Sequence, residues 1–272
     1  MKHLKNIAKG LLPIQVLQLL RQAGFGEIRF RGEFSNWEEA ASQCTGYEEQ
    51  SILARVLAST LEVKRGNAVY ERDGKVFSEI QYSLAVLSGL LRAAATNNGS
   101  LNVLDFGGSL GSSFFQNQKF LAGLQNVSWN IVEQPHFVEA GKAYIEDSIL
   151  KFYMTVDDCL AENQPNVIIL SSVLQYVQEP TVLLQRLARL GVETLIIDRT
   201  CYLKRGTRSI LKIQEVSNNV YRAQYPCHFF IEDQLMEIPR SNNYALIECF
   251  DSLDDLCGMA VWRGHIFNKE VN

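Results

Sequence analysis

The sequence predicts an α/β protein with a seven-stranded, mostly parallel, Rossmann-like sheet entered through an N-terminal helical cap. Three observations carry this. From Asn102 onward, short apolar runs alternate with helical periodicity, the pattern of a parallel sheet with crossover helices. The run Asn102-Val103-Leu104-Asp105-Phe106 turns through Gly107, Gly108 and Gly111 into Ser112-Ser113-Phe114-Phe115, as a parallel strand hands over to a helix across a bend with little room for side chains. The alternation then gives way to two late strands, residues 244–250 and 259–267, joined by an acidic loop and suited to close such a sheet as an antiparallel pair.

In chain order, residues 13–23 read as a helix, with proline near its start and Gly24 past its end. Ser35 and Glu38 have capping-box spacing and predict a helix start. Gly46-Tyr47 breaks that helix, and residues 48–61 resume helical periodicity. Residues 69–77 read as a hairpin around Asp73-Gly74, and residues 81–95 as a helix. The cap is thus expected over residues 1–98 and the sheet domain over 99–272. Within the latter, strands are expected at 102–105, 127–133, 150–155, 167–170 and 194–198, with helices at 112–124, 137–147 and 181–190. The wholly apolar run 167–170 suits a strand covered on both faces. Residues 202–240 read as an insertion rich in arginine, tyrosine and polar residues.

Composition bounds the function. At 272 residues the chain has room for one large domain with an appendage. A net charge of −4 argues against nucleic-acid binding through a broad basic surface. No run is long and apolar enough for a membrane span, since 11–20 is short and interrupted by Gln15 and Gln18. Lys2, Lys5 and Lys9 precede it without a convincing signal-peptide cleavage site; an ordinary solvated helix is favoured over a membrane-surface one. The six cysteines are dispersed, with no C-x-x-C and no zinc-type cluster, so no metal is expected and the thiols fit a reducing cytoplasm.

The glycine bend is a weak signal alone, and its spacing sharpens it. Asp105 closes a strand, Gly107 follows, and Gly111 stands six residues after the acid. This order resembles the first motif of S-adenosylmethionine (SAM)-dependent methyltransferases, although Ser109 stands where a glycine is commoner. The next strand also ends in an acid, Glu133, where a carboxylate can accept two ribose hydroxyls. The intervening helix spans roughly 18 Å and a five-residue strand roughly 16 Å, so the chain can return and start a parallel neighbour. Asp105 and Glu133 should therefore share the sheet edge at which open α/β sheets bind ligands.

Ser35-Asn36-Trp37-Glu38-Glu39-Ala40, Gly46-Tyr47, Leu104 to Gly111, Val132-Glu133-Gln134, Leu174-Gln175-Tyr176 and Ile197-Asp198-Arg199-Thr200 extend the likeness, together with Tyr225-Pro226 and Gly264-His265-Ile266-Phe267. Over nearly the whole chain they resemble a bacterial family of SAM-dependent methyltransferases associated with surface-polysaccharide (lipopolysaccharide) genes, in which a Phe-Gly-Gly-Ser-x-Gly loop is usual. The resemblance implies a class I methyltransferase sheet, SAM as cofactor, and a small acceptor such as a nucleotide- or lipid-linked sugar. For the cofactor it points to Asp105, Gly107, Gly108, Ser109 and Gly111 around the bend, Glu133 at the ribose, Asp157 or Asp158 at the adenine, and Ser171 and Ser172 at the methionine portion. Catalytic candidates are His228 as base, with His136 the lesser competitor, Tyr176 at the substrate or in the core, and Arg199 as an anion clamp or merely the partner of Asp198. Trp37, Tyr47 and Arg72 belong to the cap, and Arg205, Arg208 and Arg222 suit an anionic acceptor or a solvated loop. The competing readings are an NAD(P)-dependent oxidoreductase or epimerase, disfavoured by Asp105, the glycine spacing and the closing pair, and a non-catalytic partner subunit.

Overall fold

A computed structural model describes residues 28–44, 49–216, 223–253 and 258–270. The expected helix at 13–23, the three N-terminal lysines, the Gly46-Tyr47 break, Arg222 and Cys257 lie outside them. The chain runs through strand β1 (Ile28–Phe34), helices α1 (Trp37–Ser42) and α2 (Glu49–Lys64), hairpin strands β2 (Tyr70–Arg72) and β3 (Lys75–Phe77), and helix α3 (Leu84–Thr96). The alternating part follows as β4 (Ser100–Phe106), α4 (Ser112–Leu121), β5 (Asn126–Val132), α5 (Pro135–Ala140), β6 (Leu150–Tyr153), α6 (Val156–Glu162), β7 (Val167–Ser171), α7 (Pro180–Arg189) and β8 (Thr194–Leu203). Last come β9 (Ile210–Val216), β10 (Ala223–Phe229), α8 (Glu232–Ser241), β11 (Tyr244–Asp251) and β12 (Ala260–Lys269).

The main sheet has seven strands in the order β11-β12-β8-β7-β4-β5-β6, parallel except that β12 runs antiparallel to both β8 and β11. The seven strands and the late antiparallel pair are as the sequence predicts. Strand order reverses beside β4, with β5 on one side and β7 on the other, so the loop after β4 occupies the switch point where open α/β sheets bind ligands. Alternate residues of β7 serve opposite cores: Val167 and Ile169 join Trp129, Phe114 and Leu90 on one face, Ile168 and Leu170 join Leu184, Leu187 and Leu235 on the other. Burial on both faces is why that strand carries no polar residue until Ser171.

Several expectations are corrected. The helix expected to be capped by Ser35 with Glu38 is capped one residue later: Asn36 accepts from the Glu39 N–H at 2.8 Å, and the Glu39 carboxylate accepts from the Ser35 N–H at 2.9 Å. The motif is Asn-x-x-Glu in place of Ser-x-x-Glu. Residues 28–34, unassigned from sequence, form β1. Residues 202–240 hold two strands and a helix, and β1 pairs antiparallel with β9, which pairs with β10, in a separate three-stranded sheet. Residues from both the expected cap and the expected insertion therefore build one sheet, with α1 packed on it through Ala40, Leu211 and Ile213. The helix expected at 137–147 ends at Ala140 and continues as a π turn, Gly141–Ile145. Helices α6 and α8 have no counterpart among the elements expected from sequence.

Candidate active site

Strands β4 and β5 run parallel with Phe106 opposite Val132, which sets Asp105 and Glu133 at the same sheet edge, as their spacing predicts. Asp105 lies under the bend and is 1% exposed. Its Oδ2 accepts from the Trp129 indole N–H at 2.9 Å, while its Oδ1 is buried with no hydrogen-bond partner. The bend is moulded to that carboxylate. A Cβ on Gly108 would stand 2.5 Å from the Asp105 Cγ, and one on Gly107, whose φ is +71°, would stand 2.3 Å from Val173 Cγ2. Neither residue tolerates a side chain without displacing buried atoms. Gly111, with φ 96°, provides the N-cap of α4. Glu133 is half-buried; its carboxylate accepts from the Gln134 N–H at 2.6 Å and from the backbone N–H of Ser109. That ties the two strand ends across the bend and leaves the carboxylate capacity for further donors.

Backbone strain concentrates here. Ser109, Ser172 and Arg199 adopt φ of 54°, 59° and 51°; Ser109 and Ser172 follow β4 and β7, while Arg199 lies within β8, which continues to Leu203 beyond the end at 198 expected from sequence. The other described non-glycine residues with positive φ are Asp or Asn, which tolerate it. Strain of this kind costs of order 1–3 kcal/mol per residue and clusters at functional edges. At Arg199 a register shift between Arg263 and His265 of β12 bulges β8 opposite Gly264. Asp198, 5% exposed, accepts from Ser252 Oγ at 2.9 Å and Ser171 Oγ at 3.3 Å. The Arg199 guanidinium pairs with Asp73 at 3.1 Å.

Asp73 stands at the tip of the β2–β3 hairpin, so the cap reaches the sheet edge directly. Glu71 of the same hairpin, 1% exposed, accepts from Ser112 Oγ and from the Gly74 N–H. The hairpin thus covers the Arg199 and Ser112 end of the site. Tyr70, Arg72, Ser112, Gln116, Ser171, Asp198 and Arg199 contribute to the lining of a cavity of ≈ 30 Å³, room for little more than a water. A groove of ≈ 670 Å³ lies elsewhere, beside Lys204, Arg205 and Arg208, but among the described residues its lining has no carboxylate and no strand end of the parallel sheet apart from Leu203. The switch point, not that groove, is the candidate site.

The other expected residues divide. Tyr176 donates to Gln214 Oε1 at 3.0 Å, and its ring meets Tyr225 edge-on at 5.2 Å. It also lies within electrostatic reach of Asp73 and Arg199, and burial pushes its hydroxyl well above the usual tyrosine range. His228 is not brought to this group. Tyr225 and His228 are three residues apart on β10 and face opposite sides; His228 stacks between Trp37 at 5.4 Å and Phe230 at 5.7 Å, and burial lowers its pKa. His136 packs at the start of α5 beside Phe137. Asp157 and Asp158 lie exposed in the first turn of α6, one strand beyond Glu133: Asp157 pairs with Arg186 at 2.8 Å, and Asp158 accepts from Thr155 Oγ1 at 2.7 Å. Gln175 donates to the Ser172 hydroxyl and the Arg199 carbonyl, fixing the two strained residues relative to each other. Arg205 and Arg208 are exposed, and Arg208 pairs with Glu33. Trp129, Glu71 and Asp73 complete the site without having been singled out from sequence, and Asp198 enters it as more than a partner for Arg199. The signal for Glu71 was an acid directly after the apolar Val69-Tyr70 start of the hairpin.

Burial raises both Asp105 and Glu71 to about 7. Their folded pKa values exceed the unfolded ones, so the native state binds the extra proton. The stability they contribute is full below about pH 4 and is lost as pH rises through about 7. Each group accounts for up to about 1.4 kcal/mol per pH unit in that interval. Denaturant titrations should show wild type losing stability relative to Asp105→Asn between pH 5 and 8; parallel curves would refute the assignment.

No protein-family model matches the chain, and no curated protein matches it in sequence. Solved structures of similar fold include the N-terminal domain of EvdMO1 in the presence of SAH and D-fucose, 13% identical over 82% of this chain and 98% of that one, TM-score 0.45. Magnesium protoporphyrin IX methyltransferase from Synechocystis, with bound SAM, is 15% identical over 83% of this chain and 99% of its own, TM-score 0.45. LepI in complex with SAM is 11% identical over 80% and 64%, TM-score 0.48. At these identities the likeness is one of fold and says nothing about activity.

Proposed function

We propose that the chain is a class I SAM-dependent methyltransferase acting on a small polar acceptor, a sugar or sugar conjugate of surface-polysaccharide biosynthesis. One observation carries the reading: Asp105 and Glu133 end adjacent parallel strands and flank a bend closed to side chains, with the Asp105 Oδ1 buried and unpartnered beneath it. A buried carboxylate oxygen without a donor is costly. It is retained in a position suited to an ordered water or a ligand amine.

SAM, when bound, supplies a methyl group on a sulfonium. Gly107, Gly108, Ser109 and Gly111 would border its methionine portion with Asp105 beneath, while Glu133 would take the ribose hydroxyls. Asp157 or Asp158 would serve the adenine, and Ser171 and Ser172 would flank the reacting end. Holding the reactants in line is the main service of such a site, worth up to roughly 7–11 kcal/mol. The acceptor would sit against Asp198, Arg199, Arg72 and Tyr176. Asp198, which lines the cavity, is better placed than His228 to take a proton from an acceptor hydroxyl. The cavity of ≈ 30 Å³ beside Asp198 is too small for a sugar, so the β2–β3 hairpin, which contributes Tyr70 and Arg72 to its lining, would withdraw to admit the acceptor.

Calorimetry tests this. SAM or SAH is expected to bind in the micromolar range, and binding is expected to vanish in Glu133→Ala and Gly107→Val while both variants keep the wild-type far-ultraviolet dichroism. Absence of heat with either ligand would remove the reading. Binding without methyl transfer to any sugar acceptor would favour a non-catalytic partner subunit.

A further inference from the structure

On the far side of β8, three residues distant in sequence converge. Glu232 opens α8, Cys249 lies on β11 and His265 on β12. His265 Nε2 lies 2.9 Å from Glu232 Oε1 and 3.5 Å from Cys249 Sγ, and the Cys249 Sγ lies 3.7 Å from the same Oε1. One ligand atom from each falls within 4.8 Å of the other two. We propose that Glu232, Cys249 and His265 form a binding site for a divalent transition metal of the zinc class, with a fourth position open to solvent.

Ligand chemistry and spacing select the metal. Zn–S of about 2.3 Å and Zn–N of about 2.0 Å at a tetrahedral angle place sulfur and nitrogen about 3.5 Å apart, the separation found between Cys249 and His265. The nitrogen–oxygen separation expected on the same basis is about 3.3 Å, so Glu232 Oε1 need shift only by a few tenths of an ångström from His265. Thiolate with imidazole favours zinc, cobalt or copper over magnesium and calcium, which prefer all-oxygen shells.

The surroundings orient the ligands. Arg263 donates to Glu232 Oε2 at 2.8 Å, which leaves Oε1 facing the other two residues. The Tyr202 hydroxyl stands 3.5 Å from His265 Nδ1, the second contact a metal-ligating imidazole commonly makes. His265 is 2% exposed while Cys249 is exposed, so the site has a rigid inner wall and an entry path. On binding, the Cys249 thiol gives its proton to solvent and the imidazole carries its own on Nδ1, toward Tyr202.

The test uses the full chain freed of metal with a chelator and titrated with cobalt(II) alone. One cobalt per chain is expected, with the near-ultraviolet band of a thiolate–cobalt bond. The exposed Cys249→Ser should lose the band and weaken binding by more than about tenfold, a loss that even outer-shell changes can reach. Cys44→Ser, which alters a distant thiol, should bind as wild type. Zinc should displace the cobalt and abolish the band. The proposal is overturned if no cobalt binds, if it binds without a thiolate band, or if the band survives Cys249→Ser. His265→Ala should also lose the band, but Cys249→Ser is the decisive variant because its side chain is not part of the core.

Discussion

Trp129→Ala is expected to lower stability by about 3–5 kcal/mol and to abolish cofactor binding. The indole is fully buried, packs against Phe114 at 5.7 Å between ring centres, and gives Asp105 its one side-chain donor. Trp129→Phe separates the two contributions. Most of the ring volume stays, but the carboxylate loses its donor, at a cost of about 1–3 kcal/mol. That cost should depend on pH. Below about 7 Asp105 is largely protonated, and a neutral carboxyl tolerates the apolar site better than a carboxylate does. Chemical denaturation of Trp129→Phe at pH 5 and pH 8 should therefore show the larger deficit at pH 8. An equal deficit at both would mean that the Trp129 N–H does not govern the charge on Asp105.

Gly108→Ala is the second large effect. No backbone strain is involved, because Gly108 is not among the residues with positive φ. The obstacle is volume: the added methyl would lie 2.5 Å from Cγ and 2.6 Å from Oδ2 of Asp105, whose carboxylate is held from the other side by Trp129. Overpacking of this kind costs about 1–3 kcal/mol, and the displaced bend should no longer bind SAM. A double-mutant cycle identifies the cause. In an Asp105→Ala background the same methyl has space, so Gly108→Ala should cost at least about 1 kcal/mol less there. Additive costs would show that the bend is closed by something other than Asp105.

Much of the fold was legible because it is written in local patterns. Alternating apolar runs and amphipathic segments located the parallel strands of the main sheet, and the late pair announced the antiparallel closure. The acid–glycine spacing placed Asp105 and Glu133 at one edge, since a helix and a strand of matched length return the chain to its starting side. What failed was local too: Ser35 and Asn36 are both good caps, and only the register of the first turn chooses between them. Residues 28–34 and 202–240 carry charged and polar residues that mask their strand character. β1 exists because β9 offers it a partner, and the two are separated by a long stretch of chain.

The catalytic candidates divided for a related reason. His228 and Tyr225 are neighbours in sequence, yet strand alternation turns them to opposite faces, and the proposed base role passes to Asp198. Arg199 reaches the site through a bulge that only the pairing of β8 with β12 creates, and its partner Asp73 lies 126 positions away. The sequence by itself determined where the parallel strands lie along the chain, the glycine bend and the two acids that flank it, because these follow from backbone periodicity and steric size over a few tens of residues. The tertiary structure alone decided the indole beneath Asp105, the hairpin seated on the strained edge and the meeting of Glu232, Cys249 and His265. Such contacts depend on which faces are buried against one another, and burial is a property of the assembled chain.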